Sequence, residues 1–254
     1  MTTLGWINHV DAATVSATSA ATPAANVQHA HVARRWHTAP GVTSAALVFD
    51  LGAPRACGLL GIAGSNLSAG ATLRLRASDT DTTAQTNLLH DSGTVGAGVV
   101  AGYGTGVRVF GPATARYWRL DLTDASLSDV RVGRVFLGPR WQPAAGLSWD
   151  WGVGWDDLSR VVESHGGQIY VDEVPRRRLL MLRLEWLSVD EAMTGVLEMR
   201  RACGVTRGVL VIPETGSIHV ARQALWGRMT ERNEPIFNRH SNIWAQKFQF
   251  EELL

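Results

Sequence analysis

Few residues of this chain stand at spacings that could perform chemistry. His29-Ala-His31, with His37 close behind, places two imidazoles two residues apart, on one face of a strand. A zinc site needs a third or fourth ligand, and Cys57 and Cys203 both lie far away in sequence, so no metal site is assigned. Asp79-Thr-Asp81 has the beginning of a calcium loop but not its glycine or distal glutamate, and suits a solvated turn. Gly102-Tyr-Gly-Thr-Gly106 lacks a phosphate-loop lysine and a following helix; a hairpin loop is expected there. There is no Gly-x-Ser-x-Gly elbow and no Cys–His signature. The carboxylate pairs Asp156-Asp157 and Glu251-Glu252 are adjacent, so on strands they point to opposite faces and cannot flank one glycosidic bond. No catalytic residue and no cofactor follow from these patterns, and the chain is expected not to be an enzyme.

Two other groups suit contact rather than catalysis. Trp141, Trp149, Trp151 and Trp155 cluster among glycines, as a platform for stacking sugar rings would, or, the favoured reading, as rings that wedge between domains or subunits would. Arg176-Arg-Arg178 follows Asp172, Glu173 and Pro175, in a turn able to meet an acidic neighbour. These seven residues are the candidate interface.

The elements that must position them are strands. Thr72-Leu-Arg-Leu-Arg-Ala-Ser78 alternates, with Leu73, Leu75 and Ala77 on one face and Arg74 and Arg76 on the other. Arg116–Leu122 sends Trp118, Leu120 and Leu122 inward in the same way. Further runs are Ala13–Ser19, Ala46–Leu51 (closed by Gly52-Ala-Pro54), Gly58–Ala63 and Val130–Leu137. Short alternating strands with turn signals between them predict a β-sandwich or barrel. The second half opens with Ser159–Glu163, Gln168–Asp172 and the long run Arg177–Leu187, in which Leu180, Leu182, Leu184 and Trp186 share a face. Ser188-Val-Asp-Glu191 is a capping box, followed by Ala192, Val196, Met199 and Cys203 at helical spacing and by Gly204 as the stop. Strands return at Gly208–Pro213, Ala224–Met229 and Ile243–Phe250. The fold class is therefore mainly β: an N-terminal β-sandwich and a C-terminal β-sandwich with one α-helix.

Composition limits the partners. The 254 residues carry a formal net charge of +1, which argues against a nucleic-acid binder that works by bulk charge. No apolar run reaches the roughly 18–20 residues of a membrane helix. The start Met1-Thr-Thr-Leu-Gly-Trp6 shows no signal peptide. Of the 24 basic side chains only Lys247 is a lysine. Arginines 74, 76, 119, 131 and 183 lie opposite the apolar face of the strands, where guanidinium groups could pair with the carboxylates of a neighbouring chain. The two cysteines, in apolar surroundings, are expected to be buried thiols.

Residues 11–140 resemble a discoidin-like (galactose-binding-like) jelly roll. The resemblance is carried by Pro23–Val27, Arg35-Trp36, Val48–Gly52, Gly64–Ser68 with Ala71–Arg76, Ala115–Leu120 and Val132–Gly138, in that order. Residues 141–254 resemble the ring-forming, tail-tube-like domain of phage distal tail proteins, on Leu182–Ala192, Val209–Pro213, Leu225–Arg228 and Phe248–Leu253. Residues 1–10 would be an N-terminal arm. What the resemblance implies is a structural protein of a siphophage tail tip or baseplate, made in the bacterial cytoplasm and found in the virion. It would form a homo-oligomeric ring, of six copies or of three, next to the tail tube, central hub and tape measure. The jelly roll would sit at the periphery and bind host-surface polysaccharide, with Arg34, Arg35, Trp36 and Tyr103 as candidate glycan contacts. The alternative is a lectin-like carbohydrate-binding module with no part in assembly.

Overall fold

A strand with one apolar face is stable only when that face is covered, and most of the strands of this chain cover one another in antiparallel sheets. A computed structural model describes residues 1–148, 150–230, 236–238 and 243–254. The first strands are β1 (Thr3–Gly5), β2 (Thr14–Ala17), β3 (Trp36–His37), β4 (Ser44–Ala63), β5 (Thr72–Ser78), β6 (Leu88–Asp91), β7 (Val95–Gly96), β8 (Gly106–Thr123), β9 (Arg131–Val132) and β10 (Arg134–Gly138). They are followed by β11 (Gly152–Asp156), β12 (Arg160–Glu163), β13 (Ile169–Asp172), β14 (Arg177–Leu187), β15 (Val209–Ile212), β16 (Leu225–Met229), β17 (Ile236–Asn238) and β18 (Ile243–Glu252). The fold is mainly β, with curled antiparallel sheets of the sandwich type.

The first sheet has the order β10-β4-β8-β5-β6, with β2 on β4 and β7 on β5. The expected stop at Gly52-Ala-Pro54 is instead a corner. Gly52 has φ +74°, and the register between β4 and β8 shifts between Asp50 and Arg55 and again between Cys57 and Leu59. The two predicted strands are thus one bent strand, whose beginning pairs with residues 117–123 and whose end pairs with residues 106–109. Bending lets β4 and β8 serve both layers of the sandwich. The core holds Trp36, Phe49, Trp118, Leu120 and Leu122, together with Leu73, Leu75 and Ala77 from the alternating strand.

The second sheet has the order β1-β15-β16-β18-β14-β11, with β17 on β18. Its edge strand β1 comes from the segment expected as an arm. Thr3, Leu4 and Gly5 pair with Ile212, Val211 and Leu210, across more than two hundred residues of sequence. The expected helix covers this sheet. Glu191 accepts a bond from the backbone N–H of Ser188 at 2.9 Å, and the Ser188 hydroxyl accepts one from the N–H of Glu191 at 3.2 Å. Residues Glu191–Leu197 are wound as a π-helix and Glu198–Cys203 (α1) as an α-helix, ended by Gly204 at φ +51°. Gly195 lies directly under the Trp141 ring, where any Cβ would collide. Ala192, Val196, Met199 and Cys203 are all buried, as the spacing predicts. A single-turn helix α2 (Val220–Gln223) was not visible in the sequence pattern.

One expectation fails on β14. The register slips between Leu184 and Leu187, Trp186 adopts φ +62°, and Leu187 takes the inward position instead. Trp186 is 65% exposed as a result. A β-bulge reverses the facing of every residue beyond it, and simple alternation cannot foresee that.

Both cysteines are buried free thiols, and desolvation pushes Cys57 to about 12 and Cys203 to about 11. Neither should react with a thiol-specific disulfide reagent at pH 8 in the native protein, and both should react in denaturant. Fast native-state reaction would show that these sites open.

Candidate functional site

Beside the second sheet, apolar side chains stand exposed. Beyond Asp156 and before Arg177 the β11–β14 ribbon continues past the sheet as the β12–β13 hairpin, with Val161 opposite Val171 and Val162 opposite Tyr170. The hairpin belongs to no larger sheet. Successive strand residues point to opposite sides, so its apolar residues are displayed on both faces. Val161, Val162, Ile169, Tyr170 and Val171 are each 59–67% exposed. A two-stranded hairpin is marginal in water on its own, and contiguous exposed apolar surface marks a contact site. On the sheet itself, β11 is an edge strand that exposes Val153 and Trp155.

At the other end of β14 lies a second apolar patch. The bulge turns Trp186 outward. Across the sheet from Leu187 stand Trp244 and then Phe237, whose rings are 5.0 Å apart. Val189, Ile236 and Phe237 are exposed there too. Ten residue steps of about 3.3 Å separate Arg177 from Leu187, so the hairpin and the Trp186 patch stand roughly 33 Å apart at opposite ends of one strand.

The expected interface residues divide between the surface and the interior. Arg178 is fully buried. It holds Glu252 through Nε at 2.9 Å and through a further short ion pair, donates to the Ala224 carbonyl at 2.8 Å, and donates to Thr105 Oγ1 at 2.9 Å. Its guanidinium also lies 5.2 Å from the Tyr103 ring centre. Trp155, opposite Arg178 in the register, meets the other side of that junction, edge-on to Tyr103 at 5.6 Å. Arg178 and Tyr103 therefore bind the two halves of the chain to each other, and the Arg178 guanidinium is not free for an outside partner as expected. Arg177 pairs with Asp156 and Glu251, and Arg176 forms an exposed pair with Asp157. Trp141 packs under the helix and against Trp6, and Trp151 packs on the second core. Trp149 lies outside the described residues.

Of the expected glycan contacts, one is closed to a ligand. Trp36 is fully buried in the first core and its indole N–H donates to the Ser19 carbonyl at 3.1 Å, so no sugar ring can stack on it. It pairs with Val132 in a two-stranded ribbon, and both side chains enter the first core. Arg34 is exposed, Arg35 is half-buried, and Tyr103 is tied into the junction just described. The arginine row, expected between chains, is paired within the chain: Arg74 with Asp91, Arg76 and Arg119 with Asp121, Arg131 with Asp129, and Arg183 with Asp150 and Glu185.

Chemistry for a reaction is sparse. Among the described residues no three potential ligands group around a metal position. The paired carboxylates Asp156, Asp157, Glu251 and Glu252 each hold an arginine. Asp81 closes its own loop by accepting from Thr83, Gln85 and Thr86, bonds that hold its carboxyl well below the usual range. A groove of about 460 Å³ lined by Met1, Pro143, Leu147, Trp151 and Pro213 has a single carboxylate, Glu214. No helix among the described residues is long and apolar enough to cross a membrane.

No protein-family model matches the chain, and no curated protein matches it either. Solved structures share part of its shape. A carbohydrate-binding module of Clostridium perfringens in complex with GalNAc-β-1,3-galactose superposes with a TM-score of 0.43 and 11% identity, over 53% of this chain and 100% of that one. A chitosan-binding module from a chitosanase/glucanase of Paenibacillus sp. IK-5 gives 0.42 and 17%, over 52% and 99%. A Ruminococcus gnavus fucosidase in complex with fucose gives 0.43 and 14%, over 54% of this chain and only 27% of the fucosidase.

The Arg178 contacts make a sharp expectation. Arg178→Met leaves Glu252 buried without its partner and should lower the unfolding free energy by about 3–5 kcal/mol in urea denaturation. Arg176→Met, at an exposed pair, should leave the midpoint unchanged. Equal effects would show that Arg178 is not a junction.

Proposed function

We propose that the chain is a non-catalytic assembly protein. Its second half joins copies head to tail, and its first half is displayed as a recognition module. The observation that carries this reading is the hairpin that projects from the second sheet with apolar side chains on both faces. Head-to-tail association needs two different surfaces on one chain, and closes into a ring when the rotation allows it. The hairpin and the Trp186 patch are two such surfaces, and at opposite ends of β14 they cannot cover each other within a chain. Strand-edge pairing along β11 would add backbone hydrogen bonds to the contact. The specific form suggested by the sequence resemblance is a ring of a siphophage tail tip, of six copies or three, stacked against the tail tube and hub.

A second reading is a glycan-binding module with no role in assembly. What favours it is a polar cleft on the outer face of the first sheet, lined by arginine, aspartate and threonine side chains.

Light scattering coupled to size exclusion separates the two. The assembly reading expects particles larger than one chain, seen as rings by electron microscopy. A Val161→Glu, Val171→Glu double variant should become monomeric with its melting temperature retained. A wild-type chain that stays monomeric at high concentration would contradict assembly and leave the module reading.

A further inference from the structure

The outer face of the first sheet holds an unusual distribution of charge. Across β5 and β8, Arg74 stands opposite Asp121 and Arg76 opposite Arg119; across β5 and β6, Arg76 stands opposite Asp91. Like charges directly opposite on a sheet destabilise it unless a counter-charge intervenes. Here three guanidinium groups share two carboxylates. Arg74 grips Asp91 through two bonds at 2.9 and 2.6 Å, and Asp121 accepts from both Arg76 at 2.6 Å and Arg119 at 2.9 Å. The side chains of Arg76 and Arg119 are only 13% and 14% exposed. One positive charge is thus left over in a partly desolvated place, where a further anion gains more than it would in water.

The same face is shaped to receive one. A cleft of about 210 Å³ is lined by Thr72, Arg74, Arg76, Thr94, Asp121 and Thr123. Three threonine hydroxyls and an aspartate supply donors and acceptors for hydroxyl groups, and the Thr123 hydroxyl is fixed by a 2.7 Å bond with Ser44. No aromatic ring lines the cleft, so it offers no face for stacking and depends on charge and hydrogen bonds. Arg74 holds the Asp91 carboxyl down at about 2, so this pair stays charged across the physiological range.

We propose that this cleft binds a sugar residue bearing a carboxylate, such as a uronic acid unit of an acidic polysaccharide. The carboxylate would meet the guanidinium groups of Arg74 and Arg76, with the charge of Arg119 beside them through Asp121, and the ring hydroxyls would bond to Thr72, Thr94, Thr123 and Asp121. This deepens the glycan-binding reading of the first half and stands apart from the assembly surface.

The test is calorimetric titration of the full chain with a galacturonate trimer, its methyl ester, a neutral galactose trimer and inorganic phosphate. The proposal expects the galacturonate trimer to bind, and the ester and the neutral trimer to bind at least tenfold more weakly. Arg76→Gln should weaken galacturonate at least tenfold. Thr123→Val, which leaves every charge in place and guards against misfolding of the first variant, should weaken it severalfold. Neutral and acidic trimers binding equally, with both variants silent, would overturn the cleft while leaving glycan binding intact. Phosphate binding as tightly as the trimer, with Thr123→Val silent, would make this an anion site and overturn the sugar. Absence of binding by every trimer would overturn both the cleft and the glycan reading for these sugars.

Discussion

The two sheets of this chain meet across an apolar seam, and the rest of the arrangement depends on it. From the first half come Val32, Leu59, Ala63, Val107 and Phe136, and from the second Leu210, Ile212, Ala224 and Trp226. Phe136 and Trp226 stand 6.0 Å apart, with the Arg134 guanidinium 5.1 Å from the Trp226 ring centre. The approach is close enough that a Cβ on Gly61 would overlap Leu210. Arg178 continues the seam as its polar edge, satisfying Glu252, a carbonyl of the second half and the Thr105 hydroxyl of the first with one buried guanidinium. A buried charge this well partnered is strongly directional, because losing any partner leaves an unmet ion. The seam fixes which faces of the two sheets are covered, and so which are left for partners.

Much of this was legible in the amino-acid order. Alternation in Thr72–Ser78 and Arg116–Leu122 placed the right residues in the core, and the capping box at Ser188 placed the helix start. These signals are local: periodicity and a cap act within a few residues. What was not legible is set by distant contacts. Trp36 looked like an available aromatic until its strand pairing with β9 turned it inward. Trp186 looked buried until the bulge turned it out. Thr3–Gly5 gave no sign that it would join a strand two hundred residues away. Gly52-Ala-Pro54 carried a true turn signal, but the long β8 partner spanned it and converted a stop into a corner.

The arginines follow the same logic. Their excess over lysine first suggested contacts between chains, yet Arg74, Arg76, Arg119, Arg131 and Arg183 are engaged by aspartates and glutamates of the same chain. Planar guanidinium groups suit such forked bonds to carboxylates better than an ammonium would. The candidate contact surface is instead apolar, and Trp36, expected to meet a glycan, is buried. Both proposals rest on unmet surface: apolar faces without a cover on the second half, and one surplus charge in a cleft on the first.

The central claim, that the projecting hairpin of one copy meets the Trp186 patch of the next, is tested most directly by site-specific cross-linking. Val161→Cys and Trp186→Cys would be introduced together and singly, and treated with a short bismaleimide. Within one chain Val161 lies beyond the Arg177 end of β14 and Trp186 stands nine residue steps along it, roughly 30 Å from that end and beyond the reach of the reagent, and Cys57 and Cys203 are buried. The account predicts a ladder of covalent multimers from the double variant and none from either single variant. Dimers from Val161→Cys alone would place hairpin against hairpin and contradict it, as would a double variant that stays a single chain.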